Sequence, residues 1–309
     1  MKHAFVFPGQ GSQSVGMLAD LGATYLVVKH TFEEASEVLG YDLWKLSQQG
    51  PKEDLNQTDK TQPALLAGGV AVWRVWLEQG GHKPILMAGH SFGEYSALVC
   101  ADALEFKTAL NLVQDRGRFM QAAVPSGEGA MAAILGLKNE QIIELCATVA
   151  QDQVVSAVNF NAPGQVTIAG HTAAVKRAIE QAKAAKAKVI LLPVSVPAHS
   201  RLMLHAAEKM AKRLAVVNIN IPTIPVIHNV DVSIKTKVAD IRTALTAQLY
   251  QPVRWVETIE KMLDIGVTML FECGPGKVLT GMNKRIARGK IVKPIMDIKT
   301  LEQALEAQA

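Results

Sequence analysis

Cysteines are too few and too scattered to hold this chain together. Cys100, Cys146 and Cys273 are odd in number and form no Cys-x-x-Cys pair, which argues against a disulfide framework and fits a reducing compartment. No histidine–cysteine cluster has ligand spacing, so no metal or redox cofactor is expected. No apolar run is long enough to span a bilayer. The N-terminal run Ala4 to Phe7 stops at Pro8, too early for a signal peptide. An excess of one charge is missing too: the formal net charge is only +4 and dispersed, with no Lys/Arg run interleaved with aromatics, which speaks against nucleic acid. What remains is 309 residues, 49% hydrophobic and 19% charged, the balance of a globular chain with a sizeable core. The expectation is a soluble cytoplasmic protein that binds neither nucleic acid nor membrane.

Two patterns of organisation follow one another. Strand-like runs at His3 to Phe7 and 84–88 alternate with helical runs at Thr31 to Leu39, Thr61 to Glu78, 92–101 and Phe106 to Ala123. After about residue 199 the alternation resumes, with strands at Pro225 to Asn229 and Thr268 to Glu272 among helices at Ala239 to Leu249, Trp255 to Leu263 and Lys277 to Arg288. Such an order predicts an α/β fold, a mostly parallel sheet with helices on both faces. Between the two halves, Ala130 to Val194 reads β-α-β-β-α-β, the ferredoxin-like order. It is entered through the turn-rich Pro125-Ser126-Gly127-Glu128-Gly129 and left through Val196-Pro197. The expected division is a large domain of residues 1–124 and 198–309 and an inserted small domain of residues 125–197, with a cleft between them.

Chemistry concentrates first at Ala88-Gly89-His90-Ser91-Phe92-Gly93-Glu94. Ser91 is the centre of a Gly-x-Ser-x-Gly motif with a strand-like run before it and a helix-like run after it. A sharp strand-to-helix turn strains the serine backbone and exposes its hydroxyl, and the glycines let the two elements pass closely. The helix N-terminus offers free N–H groups to an oxyanion. Five such residues can be only a tight turn, but in this context a nucleophilic serine for acyl transfer is the stronger reading.

A serine nucleophile needs a base. In α/β-hydrolases the histidine comes near the C-terminus, whereas no histidine here follows His228, which counts against an ordinary esterase or lipase. His90 adjoins Ser91 across a tight turn and should point elsewhere. His199, in Val196-Pro197-Ala198-His199-Ser200, stands where the chain re-enters the large domain, behind a proline that fixes its backbone; a capping histidine is the bland alternative. In the helical run 106–123, Arg116 falls on the apolar stripe of Ala109, Leu112, Val113, Phe119 and Met120, while Asn111, Gln114, Asp115 and Arg118 lie off it. A core-facing guanidinium is costly without an anion, so Arg116 is either a structural ion pair or a carboxylate-binding group. Gln248 shares a face with Ile241, Ala244 and Leu245 and is structural or functional by the same logic. The loop Gly9-Gln10-Gly11-Ser12-Gln13 departs from a dinucleotide fingerprint at Ser14; it can instead bring a backbone N–H to the active site.

The ordered motifs are Phe7-Pro8-Gly9-Gln10-Gly11-Ser12-Gln13, Gly89-His90-Ser91-Phe92-Gly93-Glu94-Tyr95-Ser96 and Asn159-Phe160-Asn161-Ala162-Pro163-Gly164-Gln165. They continue in Pro197-Ala198-His199, Asn229-Val230-Asp231, Gln248-Leu249-Tyr250 and Gly274-Pro275-Gly276. Together they resemble the malonyl-CoA:acyl carrier protein transacylases of bacterial type II fatty acid synthesis, and the resemblance covers essentially the whole chain. It implies a hydrolase-like large domain with a ferredoxin-like insert, Ser91 as nucleophile and His199 as base. It further implies oxyanion-hole N–H groups from Gln10 and Phe92, a malonyl carboxylate on Arg116, and Gln248 beside the histidine, whose ring is oriented by a backbone carbonyl. Phe92 stands where the family commonly has leucine and Ala198 where it has serine; both adjoin catalytic groups, and neither removes one.

The implied reaction is ping-pong. His199 takes the Ser91 proton as the hydroxyl attacks malonyl-CoA, coenzyme A leaves, and the phosphopantetheine thiol of acyl carrier protein takes the malonyl group. The carrier is acidic as a class, and Lys277, Lys284, Arg285 and Arg288 are candidates to meet it. A serine hydrolase such as a thioesterase, and a docking module without activity, are the alternatives.

Overall fold

Five short apolar segments from opposite ends of the sequence build the central sheet. They are β1 (His3–Phe7), β2 (Leu86–Gly89), β7 (Val226–Ile227), β8 (Met269–Cys273) and β9 (Ile291–Ile295). The spatial order is β7-β2-β1-β8-β9, with every neighbouring pair parallel. The computed structural model describes residues 2–194 and 196–308; Met1, Ser195 and Ala309, which fall within the expected domain bounds, lie outside the described residues.

The central strands β1, β2 and β8 are buried along their whole length, as a parallel sheet covered on both faces requires. Side chains alternate between two cores. Phe5, Phe7, Met87 and Phe271 pack on one face with the Thr58–Glu78 and Phe106–Gln121 helices. Ala4, Val6, Ala88 and Leu270 face Trp255, Ile259 and Met262 of the Trp255–Asp264 helix. Each fully buried large apolar side chain contributes about 1.5–3 kcal/mol relative to exposure, so both faces are needed to hold the strand ends where the site forms.

The second sheet contains β3 (Gly129–Leu135), β4 (Val155–Ala162), β5 (Gln165–His171) and β6 (Lys188–Leu191). Its order is β4-β5-β3-β6, antiparallel throughout. With the Asn139–Ala150 and Thr172–Ala184 helices it gives the β-α-β-β-α-β succession, the ferredoxin-like arrangement. Ile134, Val166 and Ile168 pack with Ile142 and Val175 from those helices. The other face carries Met131, Val158 and Ala169. Two backbone bonds stitch β4 to the large sheet's surroundings: Val253 N–H to Val158 O at 2.8 Å and Phe160 N–H to Val253 O at 3.0 Å.

Some elements depart from expectation. The strand expected at Pro225 to Asn229 shrinks to Val226–Ile227, because Asn229 is drawn out of the ladder by side-chain bonds described below. The last strand of the insert ends at Leu191. Gln114, expected off the apolar stripe, is 7% exposed. The Leu204–Val216 helix, β9 and the Ile298–Gln308 helix extend the layers beyond the expected elements. Among the described residues no helix is long and apolar enough to cross a membrane.

Candidate active site

The site forms where β1 and β2 end side by side and β2 turns into the Gly93–Cys100 helix. The turn is tight enough to dictate its glycines. A Cβ on Gly89 would lie 1.9 Å from the Gly93 carbonyl group, and one on Gly93 would lie 2.5 Å from Phe7 O. Ser91, between them, has φ 54°, a left-handed conformation costing a non-glycine residue about 1 kcal/mol or more. Asn229 stabilises it: its Oδ1 accepts from Ser91 N–H at 2.7 Å and its Nδ2 donates to Gly89 O at 2.7 Å.

The second strained residue is His199, at φ 63°. One segment grips it twice. His199 N–H donates to Leu249 O at 2.9 Å, and its Nδ1–H donates to Gln248 O at 2.6 Å. With Nδ1 as the donor, Nε2 presents a lone pair, and it lies 2.7 Å from Ser91 Oγ. His199 is 2% exposed. Burial first, then the positive charge of Arg116, pushes its pKa down to about 3. The ring is therefore neutral at ordinary pH and ready to accept the serine proton. Among the described residues no carboxylate touches it, so Ser91 and His199 form a dyad oriented by a peptide carbonyl.

Arg116 projects from the Phe106–Gln121 helix and is 0% exposed. Its Nη2 donates to Gln248 Oε1 at 2.9 Å, and its guanidinium lies 5.9 Å from the centre of the Tyr95 ring. Arg116 Nε and Nη1 have no hydrogen-bond partner among the described residues. A buried guanidinium with two unpartnered nitrogens keeps donors to spare for an anion. Gln248 Nε2 donates to Ser91 O at 2.8 Å, so its amide ties the arginine to the elbow.

A cavity of about 350 Å³ runs over Ser91 and His199 between the two sheets. Gln10, Met120, Met131, Ala198, Leu192 and Met282 contribute to its wall. It stops short of Arg116, which lies one helical turn from Met120. The β1 loop reaches the elbow because Gly9 has no side chain; a Cβ there would sit 2.9 Å from His90 O. Ser91 N–H is already taken by Asn229, whereas the N–H groups of Gln10 and Phe92 make no hydrogen bond among the described residues. Phe92 is buried and Gln10 exposed at the cavity rim. No group of three or more metal-ligating side chains occurs among the described residues.

The structure thus brings together Ser91, His199, Arg116, Gln248, Gln10 and Phe92. Glu94, His228 and Asn229, which residue types alone did not single out, form a buried cluster behind them. His228 Nδ1–H donates to Glu94 Oε1 at 2.6 Å, away from Ser91. An acid in a helix whose Tyr95, Ala97 and Leu98 are all buried is the signal that could have found Glu94. His90 turns from the nucleophile, as expected, and donates to Asn161 Oδ1 of β4 at 2.8 Å; burial lowers its pKa.

Comparison with known proteins points the same way. A family model described as an acyl transferase domain matches residues 4–296. The chain is 57% identical over 304 residues to the malonyl CoA-acyl carrier protein transacylase of Escherichia coli K12, covering 98% of each. An acyl carrier protein S-malonyltransferase of Vibrio cholerae superposes with a TM-score of 0.96 at 57% identity, over 98% of this chain and 100% of that one. A malonyl-transacylase solved in complex with a type II PKS acyl-carrier protein gives a TM-score of 0.98 at 56% identity, over 99% of this chain and 100% of that one.

Proposed function

This chain belongs to the acyl transferase domain family, among the malonyl CoA-acyl carrier protein transacylases, and from that membership we propose how its residues divide the work. It transfers the malonyl group of malonyl-CoA to the phosphopantetheine thiol of acyl carrier protein. The Ser91 Oγ–His199 Nε2 contact of 2.7 Å, on a strained elbow beside an open guanidinium, carries the assignment of roles.

His199 takes the Ser91 proton as Oγ attacks the thioester carbonyl. The N–H groups of Gln10 and Phe92, free of other partners, receive the developing oxyanion. His199 then gives its proton to the departing sulfur of coenzyme A, leaving a malonyl ester on Ser91. In the second half the carrier thiol loses its proton to His199 and attacks the ester, and the proton returns to Ser91 Oγ. Arg116 holds the malonyl carboxylate through its unpartnered N–H groups, with Gln248 setting its orientation. We divide the chain into a large domain of 1–124 and 198–309 and an insert of 125–197, whose β4–β5 side roofs the cavity. Three cysteines, all free, suit a cytoplasmic setting.

Incubation with malonyl-CoA and phosphopantetheinylated carrier protein tests this function. Malonyl-carrier protein should be the dominant product. Release of free malonate at the same rate with or without carrier would make water the acceptor and the chain a hydrolase.

A further inference from the structure

Glu94 has no task in the chemistry above, yet it is the hub of the polar groups around it. It follows Ser91 by three residues and is 0% exposed. A buried carboxylate is costly unless hydrogen bonds satisfy it, and Glu94 accepts three. His228 Nδ1 donates to Oε1 at 2.6 Å, and Asn229 N and Gln248 Nε2 donate to Oε2 at 3.1 and 2.9 Å. One arm runs through Asn229 to the backbone of Ser91 and Gly89. The other runs through Gln248 to Arg116 and to the carbonyl that orients His199.

The second arm constrains the amide. A carboxylate only accepts, as does a carbonyl, and Gln248 Nε2 sits between two such acceptors, Glu94 Oε2 and Ser91 O. Only one amide orientation satisfies both, and it turns Oε1 to Arg116. The arginine thus meets a neutral oxygen, with the carboxylate one side chain further away. Had Glu94 reached the guanidinium, the ion pair would occupy the fork a substrate carboxylate needs.

We propose that Glu94 is a positioning residue for acyl selectivity: it locks the Gln248 amide with its oxygen toward Arg116, and so keeps the remaining N–H groups of that arginine open to the carboxylate of the acyl group. This rests on the malonyl-transfer reading, which the wild-type protein tests in the same assay through its preference for malonyl-CoA over acetyl-CoA. The variant Glu94→Gln removes the charge and the acceptor-only character at constant size. Its malonyl-to-acetyl ratio of kcat/KM for acylation of Ser91 should fall by about 10-fold or more, because a misdirected amide turns its N–H₂ on Arg116 and disturbs the carboxylate contact more than the elbow. Acetyl acylation should change far less. Equal losses on both substrates would make Glu94 a structural prop of the elbow and overturn the proposal, as would an unchanged ratio. Should Glu94→Gln fail to fold, the exchange Glu94→Gln/Gln248→Glu keeps the buried charge while moving it onto Arg116. That protein should acylate with acetyl-CoA and have lost its preference for malonyl-CoA; a retained preference refutes the lock.

Discussion

At the scale of the residue, selectivity and pH dependence both trace to Arg116. An acetyl group leaves the buried guanidinium unpaired, and a site built around such a contact rejects the analogue lacking it by up to about 10⁴-fold. Arg116→Ala should therefore cut malonyl acylation sharply and acetyl acylation little, and Arg116→Lys should rescue little, because a point charge lacks the planar fork. Parallel kcat/KM measurements on the two thioesters check this, and equal losses would make Arg116 a structural cation. Burial, and after it the charge of Arg116, holds His199 near pKa 3 instead of the usual 6.5. The base stays neutral far into the acid range, so the acidic limb of kcat/KM should lie well below that of an ordinary imidazole. Arg116→Ala should move the limb upward, because a positive neighbour has gone. For stability the sign is that of a depressed group: the contribution of His199 is full above about 6.5, the unfolded value, and is lost as pH falls toward about 3. A pH series of Tm for wild type and His199→Ala should show the variant losing less in that window.

At the scale of the element, the site depends on where a strand meets a helix. Gly93→Ala places a methyl 2.5 Å from Phe7 O, so β1 and the Gly93–Cys100 helix must part, at a cost of about 1–3 kcal/mol. Denaturant titration should show that loss. Glu272 plays a similar part for the helix whose Val278, Leu279 and Met282 line the cavity. Its oxygens accept from Leu279 N–H at 3.0 Å and Thr280 N–H at 2.6 Å, starting the Val278–Ile286 helix, while burial raises its pKa to about 7. Glu272→Gln turns an N–H₂ toward a backbone N–H and should cost about 1–3 kcal/mol, read as a lowered Tm. The sequence made the Ser91 elbow, the β-α-β-β-α-β succession and the stripe position of Arg116 legible, because glycine spacing and apolar periodicity are local signals. It hid β9, since Pro294 breaks the look of a strand; on the edge of the sheet the missing N–H is tolerated. It also hid the Glu94–His228–Asn229 cluster, because those bonds join residues more than 130 positions apart. The grip of Gln248 on His199 is a backbone carbonyl contact that no residue type announces, and only the family resemblance implied one.

At the scale of the whole molecule, the cavity is held by contacts between the second sheet and the segments that pack around the first. Arg285, a candidate for meeting the carrier, is already engaged: Nη1 and Nη2 donate to Gln165 Oε1 and Pro163 O, each at 2.6 Å. It ties the Val278–Ile286 helix to the β4–β5 turn, and Gln165 lines the cavity. Arg285→Ala should thus slow acylation by malonyl-CoA as well as transfer. Lys284→Glu should slow transfer alone, and added salt should weaken transfer more than acylation, since charges on exposed surfaces are screened within about 10 Å at 0.1 M. Salt series of the two half-reactions separate these cases. The most direct test of the dyad is intact-mass analysis with peptide mapping after malonyl-CoA is added to wild type, Ser91→Ala and His199→Ala, followed by a chase with carrier protein. Wild type should gain one malonyl ester on Ser91 and pass it to the carrier, Ser91→Ala should gain none, and His199→Ala should acylate and discharge only slowly. A stable malonyl ester elsewhere in Ser91→Ala, or transfer by His199→Ala at the wild-type rate, would contradict a Ser91–His199 dyad.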